Sequence, residues 1–556
     1  MRSLLTFVTL YGFNFVFWGV VGLLRLIAES ARSRGKAVFP TWKPMLVGAL
    51  SLLGVWFSLV AVVPGIVSWE QPLPLLPRLS FWPPGLPLAE LWIGPLALFG
   101  IAGAYITVKA AKPQVRGGSA LLFGVVYWCG FLCMWSLARE QHGVVTAQSQ
   151  WLLVLLFATP VAAAWFGARV PHTKNNVDRG TEPVRLEDVA VVIAAHNEQE
   201  SIPLCLDALL GIVPAENIFV GSDGSTDATV AAARTRKCNV LDIQPNAGKA
   251  RALKRVIDHF EICRRYKVTL IMDADSEVDK NYLRRALPLF SDPAVAAVAG
   301  HANPKWFHHV LPRWAMFFIA YRIRLYKLTQ ALLRYGQTWK HSNVSFIVPG
   351  FASMYRCSAL EKINITAPGL IIEDFNMTFE LHHKRLGKIA YSPAIRCVCE
   401  DPHSLRDYAK QVKRWYLGFW QTVRQHGFWP SFFWLALATF IFEMLLQSLV
   451  FLLVPVIVVW FLLISSDPVS LWLPLLGATS IGLPDVLIGV FVADYLLTVL
   501  IAALERKPLL LFYGFGFVFL RVLDAFLFVF TLPLGFLVKS DGTWASPSRV
   551  GQTVAQ

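Results

Sequence analysis

Long apolar stretches separated by short basic turns occupy both ends of this chain, and a polar middle with a different periodicity lies between them. Apolar runs of about 20 residues can cross about 30 Å of hydrocarbon as helices. They predict about five spans before the middle, at 4–26, 45–67, 91–108, 120–137 and 151–168, and about three after it, at 432–463, 486–504 and 509–538. The first run is too long for a cleavable signal segment and leads into Arg25, Arg32, Arg34 and Lys36. Basic residues stay on the cytoplasmic side, which places the N-terminus outside. Alternation then puts Lys109, Lys112, Arg116, the 172–187 linker and the turn of Glu505, Arg506 and Lys507 inside, and the Pro-rich 71–88 loop outside. The resulting division is a membrane region over 1–171, a cytoplasmic domain over 172–427, a second membrane region over 428–540 and a polar tail over 541–556.

In the middle, short β-rich runs at 189–195, 218–221, 268–272 and 294–299 alternate with helical patterns at 201–210, 228–237, 249–260 and 280–289. That order predicts successive βαβ units on a parallel sheet. Such sheets bind ligands beyond the carboxyl ends of their strands. No internal repeat is present.

Composition supports the membrane reading. Hydrophobic residues make up 55% and charged residues 16%, against about 25% charged in soluble domains, and the mean hydropathy is +0.51. The net charge of +15 is explained by Lys and Arg held near anionic lipid, not by nucleic-acid binding. A multi-pass protein of a bacterial inner (cell) membrane is expected. Of eight cysteines only Cys397 and Cys399 form a close pair, and without a nearby second pair or histidine they read as reduced, buried thiols.

The candidate chemistry sits at strand ends. Ala195, His196, Asn197 and Glu198 follow the first strand, and Asp223 with Gly224 follows the second. Either corner alone suits a turn or helix cap. Asp273 and Asp275, at i and i+2 after an apolar strand, suit a hard divalent cation shared with substrate phosphates. Lys249 opens a helix, where anions are favoured, or is a solvated lysine. Glu373 and Asp374 follow an apolar run; Asp374 reads as a general base or as an N-cap. Gln411, Arg414 and Trp415 lie in an amphipathic segment ahead of a span, where an interfacial anchor is the plainer account.

Taken together, Asp223, Asp273 with Asp275, Glu373 with Asp374, and Gln411 with Arg414 and Trp415 resemble, in this order, the motifs of membrane-integrated family 2 glycosyltransferases. These include hyaluronan, chitin, cellulose and poly-N-acetylglucosamine synthases, with ceramide glucosyltransferase as a non-processive relative. The resemblance implies a cytoplasmic α/β GT-A (Rossmann-like) domain in a multi-pass α-helical membrane protein. It implies a nucleotide-sugar site of Ala195, Asn197, Glu198, Asp223, Lys249, Asp273, Gln411 and Arg414, with UDP-sugar as donor. Mg²⁺ or Mn²⁺ would bind Asp275 beside Asp273, Asp374 with Glu373 would serve catalysis, and Trp415 would stack on the acceptor. Residues 349–356 resemble the family's acceptor-side loop. Ile372 stands where many members have Thr, Lys254 where Asn is common, and about five leading spans exceed the usual one or two. Two enzyme classes follow: a processive synthase extruding a polysaccharide, with accessory secretion proteins as further partners, or a glycolipid transferase acting on a lipid acceptor. A non-enzymatic nucleotide-binding receptor would leave Asp374 and Trp415 without a role. Asp485, Asp494 and Asp524, in or beside spans, are candidates for function by position.

Overall fold

The computed structural model describes residues 184–306, 311–463, 501–540 and 542, with scattered positions between 14 and 29 and between 470 and 499. The predicted spans at 45–67, 91–108, 120–137 and 151–168, and Asp485, lie outside the described residues, as do most of 4–26 and much of 486–504. The chain divides into two units. One comprises Met1–Phe13, Leu23–Thr173 and Ser465–Pro508; the other comprises Asn14–Gly22, Lys174–Ile464 and Leu509–Gln556. The central sheet and the helices around it belong to the second.

Its centre is an eight-stranded sheet of β1 (Val189–Ala195), β2 (Ile218–Asp223), β3 (Asn239–Ile243), β4 (Val268–Asp273), β5 (Ser276–Val278), β6 (Val295–Pro304), β7 (Ala352–Arg356) and β8 (Lys388–Cys399), in the order 3-2-1-4-7-6-8-5. The strands β3, β2, β1 and β4 pair in parallel, as the alternating pattern predicts. The sheet as a whole is mixed, which corrects the all-parallel expectation: β7 runs antiparallel between β4 and β6, and β5 antiparallel to β8. An apolar strand buried on both faces carries no mark of its direction. The antiparallel course of β7 matters for the site, because its first residue, Ala352, pairs with Met272 at the end of β4.

Apolar positions at helical spacing hold the flanking helices. In α1 (Ile202–Leu210), Ile202, Cys205, Leu206 and Leu209 enter the core with Val189, Val191 and Ile193 of β1. Each fully buried aliphatic side chain contributes about 1.5–3 kcal/mol, enough to fix the strand ends rigidly. Beyond α2 (Thr229–Thr235), α3 (Lys249–His259) packs on β1 and β2. A Cβ on Gly221 would meet Val256 Cγ2 at 2.6 Å, so glycine there lets α3 sit close. The pattern at 280–289 is only partly α-helical: Tyr282–Ala286 gives way to a 3₁₀ segment, Leu287–Ser291, where Pro288 has no N–H to donate.

The longer of the remaining helices among the described residues are α4 (Arg313–Leu328), α5 (Glu373–His383), α6 (Leu405–His426), α7 (Phe432–Leu463) and α8 (Phe517–Leu537). Phe432–Leu453 and Phe517–Leu537 are long and apolar enough to cross a membrane. The predicted 509–538 span is interrupted, with a short helix at Leu509–Gly514 ahead of α8. These two helices pack directly on α5 and α6: Phe379 of α5, Phe419 and Trp420 of α6, Phe433 and Leu437 of α7 and Phe528 of α8 share one core. Trp420 Nε1 donates to the Phe528 carbonyl at 3.2 Å. Asn14 donates through its backbone and side-chain nitrogens to Glu443 Oε2 of α7, at 2.8 and 2.6 Å. Cys397 and Cys399 are buried, unbridged thiols on β8.

Candidate active site

Four chain segments that are distant in sequence meet at the carboxyl edge of β4. The edge carries Asp273 and Asp275 because β4 is buried up to Met272 and its carboxylates emerge where the sheet stops. Asp273 N donates to the Phe351 carbonyl at 3.1 Å, which carries the β4–β7 ladder one residue further and brings Gly350 beside the carboxylates. Gly350 N in turn donates to Asp374 Oδ2 at 3.3 Å. Lys249 arrives from the other side at the start of α3. Its position is set by Asp223, which is fully buried and accepts from Ala247 N at 2.7 Å and Gly248 N at 2.8 Å. Gly248 has φ +92°, a conformation that side-chain-bearing residues seldom adopt.

Lys249 Nζ then lies 2.7 Å from Asp273 Oδ1 and 2.6 Å from Glu373 Oε1. Burial opposes its charge, yet the two carboxylates outweigh burial and hold the lysine protonated. Glu373 is buried as well, and Lys249 keeps it below the usual carboxylate range. Asp374 is the opposite case. Burial and then the negative charge of Glu373 push it up to about 7, against Lys249 and the N–H groups of Phe375 and Gly350. A carboxyl group poised near neutrality suits proton abstraction. The N-cap of α5 is Ile372, and Asp374 lies inside the first turn, so the capping alternative does not describe it.

Glu198, Lys249, Asp273, Asp275, Glu373, Asp374, Gln411, Arg414 and Trp415 all line one cavity of about 450 Å³. Ala195, Asn197 and Asp223 do not line it. Ala195 is buried at the end of β1, and Asn197 joins the β1 and β2 corners, its Oδ1 accepting from Thr226 N at 2.9 Å. Arg414 Nε is buried without a hydrogen-bond partner, and its charge also favours the ionised form of Glu373. The cavity continues to Phe440, Met444 and Gln447 of α7 and to Arg521, Asp524 and Phe528 of α8. Asp524, a candidate by position, accepts from Tyr321 and Tyr408 hydroxyls at 2.7 Å each. Asp494 is buried in the other unit.

Asp273 and Asp275 offer hard oxygen ligands on one wall, a donor set that fits a divalent cation completed by substrate phosphates. Among the described residues, no group of three or more His, Cys, Asp or Glu side chains could hold an ion without that help. Sequence reasoning missed the layer beneath Gln411 and Trp415. Asp401, pushed up to about 6 by burial against the pull of Arg322, accepts from the Tyr326 hydroxyl at 2.9 Å. Arg322 itself is fully buried. The available signal was Arg322, two residues from Arg324, inside a helical segment rich in apolar and aromatic residues.

The sequence model of the family described as "Glycosyl transferase family group 2" matches residues 268–536, a span running from β4 through α8. No curated protein sequence matches. Among solved structures, a mannosyltransferase from Pyrobaculum calidifontis in complex with GDP-Man and Mn²⁺ aligns at 16% identity, covering 68% of this chain and 97% of that one, with TM-score 0.41. Mannosyl-3-phosphoglycerate synthase from Rubrobacter xylanophilus aligns at 18% identity over 48% of this chain and 83% of its own, with TM-score 0.30. Glucosyl-3-phosphoglycerate synthase from Mycobacterium tuberculosis aligns at 16% over 47% and 85%, with TM-score 0.28. These likenesses are distant; the mixed sheet by itself is consistent with a GT-A domain. The match over 268–536, just under half of the chain, supports a transferase of the family 2 type, and the chain is a glycosyltransferase.

Proposed function

We propose that this enzyme transfers sugar, with inversion, from a UDP-sugar to a growing polysaccharide that leaves through membrane helices of the same chain. One observation carries the reading: the cavity that holds the carboxylates at the end of β4 is continuous with residues of α7 and α8. Asp374 takes the proton of the acceptor hydroxyl, whose oxygen attacks the anomeric carbon as the bond from that carbon to the diphosphate breaks. Lys249, Arg414 and the Gln411 amide face the charge that builds on the departing diphosphate. Asp275 and Asp273 would hold Mg²⁺ or Mn²⁺, which supplies further charge neutralisation there when bound. Glu198 would meet the nucleotide at the cavity wall, with Ala195, Asn197 and Asp223 shaping the β1 and β2 corners behind it, and Trp415 gives the acceptor sugar an apolar platform. The catalytic domain over 172–427 faces the cytoplasm, where nucleotide-sugars are made, with membrane regions over 1–171 and 428–540.

A second reading, a glycolipid transferase, is favoured by Phe440, Met444 and Phe528 at the membrane end of the cavity, where an apolar tail would fit. Purified protein in lipid, offered a panel of UDP- and GDP-sugars with Mn²⁺ or Mg²⁺, separates the two. A polymer of high mass supports the first; a single sugar added to a solvent-extractable lipid supports the second. Absence of transfer with every donor sinks both.

A further inference from the structure

Among the described residues, a second buried cation outside the four motifs, besides Lys249, touches two motif residues at once. Arg322, on α4, is fully buried. Its Nη2 donates to Gln411 Oε1 at 2.6 Å, and its guanidinium carbon lies 4.3 Å from the Trp415 ring centroid and 4.6 Å from that of Tyr408. These distances fall within cation–π range. Asp401 Oδ1 is 3.7 Å from Nε, close enough for attraction but too far for a hydrogen bond. Nε and Nη1 have no hydrogen-bond partner. An arginine kept only to brace the fold would be expected to use its donors, because unmet buried donors are costly. Here the hydrogen bond goes to Gln411 and the nearest ring is that of Trp415, with Tyr408 beside it.

The contact also decides which way Gln411 presents itself. A guanidinium only donates, so the amide oxygen must face Arg322. The end left for a ligand is therefore the NH₂ donor, the correct polarity for an anionic phosphate oxygen. Trp415, with a cation on its ring and a place on the cavity wall, is held for stacking without a hydrogen bond of its own being required. We infer that Arg322 is the positioning residue that orients Gln411 towards the donor diphosphate and Trp415 towards the acceptor sugar. This rests on the glycosyltransferase reading of the site given above.

The test uses the full chain in detergent or lipid and reads UDP binding, acceptor KM, kcat and the thermal transition on the same preparations. Arg322→Lys keeps the charge beside Asp401 but cannot hold the amide and lie flat on the rings together. We expect a folded protein whose UDP affinity falls about tenfold, the scale of one charge-assisted hydrogen bond, with a raised acceptor KM. Gln411→Ala should lose a similar amount, and adding Arg322→Lys to it should cost no further UDP affinity. Gln411→Glu, which pairs well with Arg322 but turns a carboxylate towards the diphosphate, should fold and lose UDP affinity tenfold or more. UDP affinity and acceptor KM within twofold of wild type in folded Arg322→Lys would overturn the inference. So would full additivity with Gln411→Ala, or wild-type UDP affinity in Gln411→Glu, which stands as a test even if Arg322→Lys does not fold. Asp374→Asn run alongside separates the cases: normal transfer by that variant removes the catalytic reading, whereas the UDP-binding cycle speaks only to Arg322.

Discussion

Replacing Asp374 by Asn removes a charge and almost nothing else. The side chain keeps its size, and an amide oxygen can still accept from Phe375 N or Gly350 N, which now bond the carboxylate at 2.7 and 3.3 Å. What is lost is a proton acceptor of pKa about 7, and a missing general base costs about 10² to 10⁴ in rate. The same shift sets the pH profile. With Asp374 half-ionised near 7, kcat/KM of the wild type should fall about tenfold per unit below that point and level off above it. Stability moves the other way. A carboxyl raised in the folded state contributes stability below its unfolded pKa of 3.8, and that contribution is lost as pH rises through about 7. The rise of about three units corresponds to about 4 kcal/mol at 1.36 kcal/mol per unit, so Asp374→Asn should be more heat-stable than wild type at pH 8, with the difference shrinking towards pH 4. The assay is UDP binding, UDP release and the thermal transition on one preparation. Near-normal transfer by the variant, or a wild-type profile flat from pH 5 to 8, refutes the reasoning.

Asp275→Asn or Asp273→Ala should abolish most transfer, and EDTA should do the same with recovery on adding Mn²⁺ or Mg²⁺; full activity in excess chelator removes the metal assignment. Gly350→Ala would place a Cβ 2.9 Å from Lys249 Nζ and 3.2 Å from Glu373 Oε1. Turnover should fall with the thermal transition nearly unchanged, and wild-type turnover would mean the Lys249 pairing is dispensable. A reporter in the 71–88 loop should read as external and one in the 172–187 linker as cytoplasmic; an external linker would cut the site off from nucleotide-sugars.

Local pattern was readable where one face of an element repeats. Ile202, Cys205, Leu206 and Leu209 announce α1, and the apolar run at Val268 announces β4, because burial imposes a period that is visible in one dimension. The strands β3, β5, β7 and β8 were not anticipated, and β7 (Ala352–Arg356) occupies most of the 349–356 stretch that the sequence reads as a loop. The middle of β3 is half-exposed, with Asp242 pointing out, and β8 contains Ser392 and Pro393 in the middle of its run, so neither shows a clean alternation. The motif order also marked Asp273, Asp374, Gln411 and Trp415 as candidates. That Asp374 sits inside the first turn of α5 rather than capping it was open in the sequence, since the same residue types serve both ends.

Tertiary structure alone decided how those candidates meet. Strand direction is invisible in an apolar run, yet the antiparallel course of β7 is what sets Gly350 between Asp273 and Asp374. A lysine at a helix start is anonymous until packing at Gly221 brings α3 close enough for Lys249 to bridge Asp273 and Glu373. The same burial that joins them raises Asp374 to about 7, a property no residue possesses in isolation because it arises from desolvation and a neighbouring charge. Arg322 carries no motif around it and becomes meaningful only where α4 and α6 touch. Periodicity and residue type are local and survive in the linear order of the chain, whereas distance, burial and electric field belong to groups brought together from far apart.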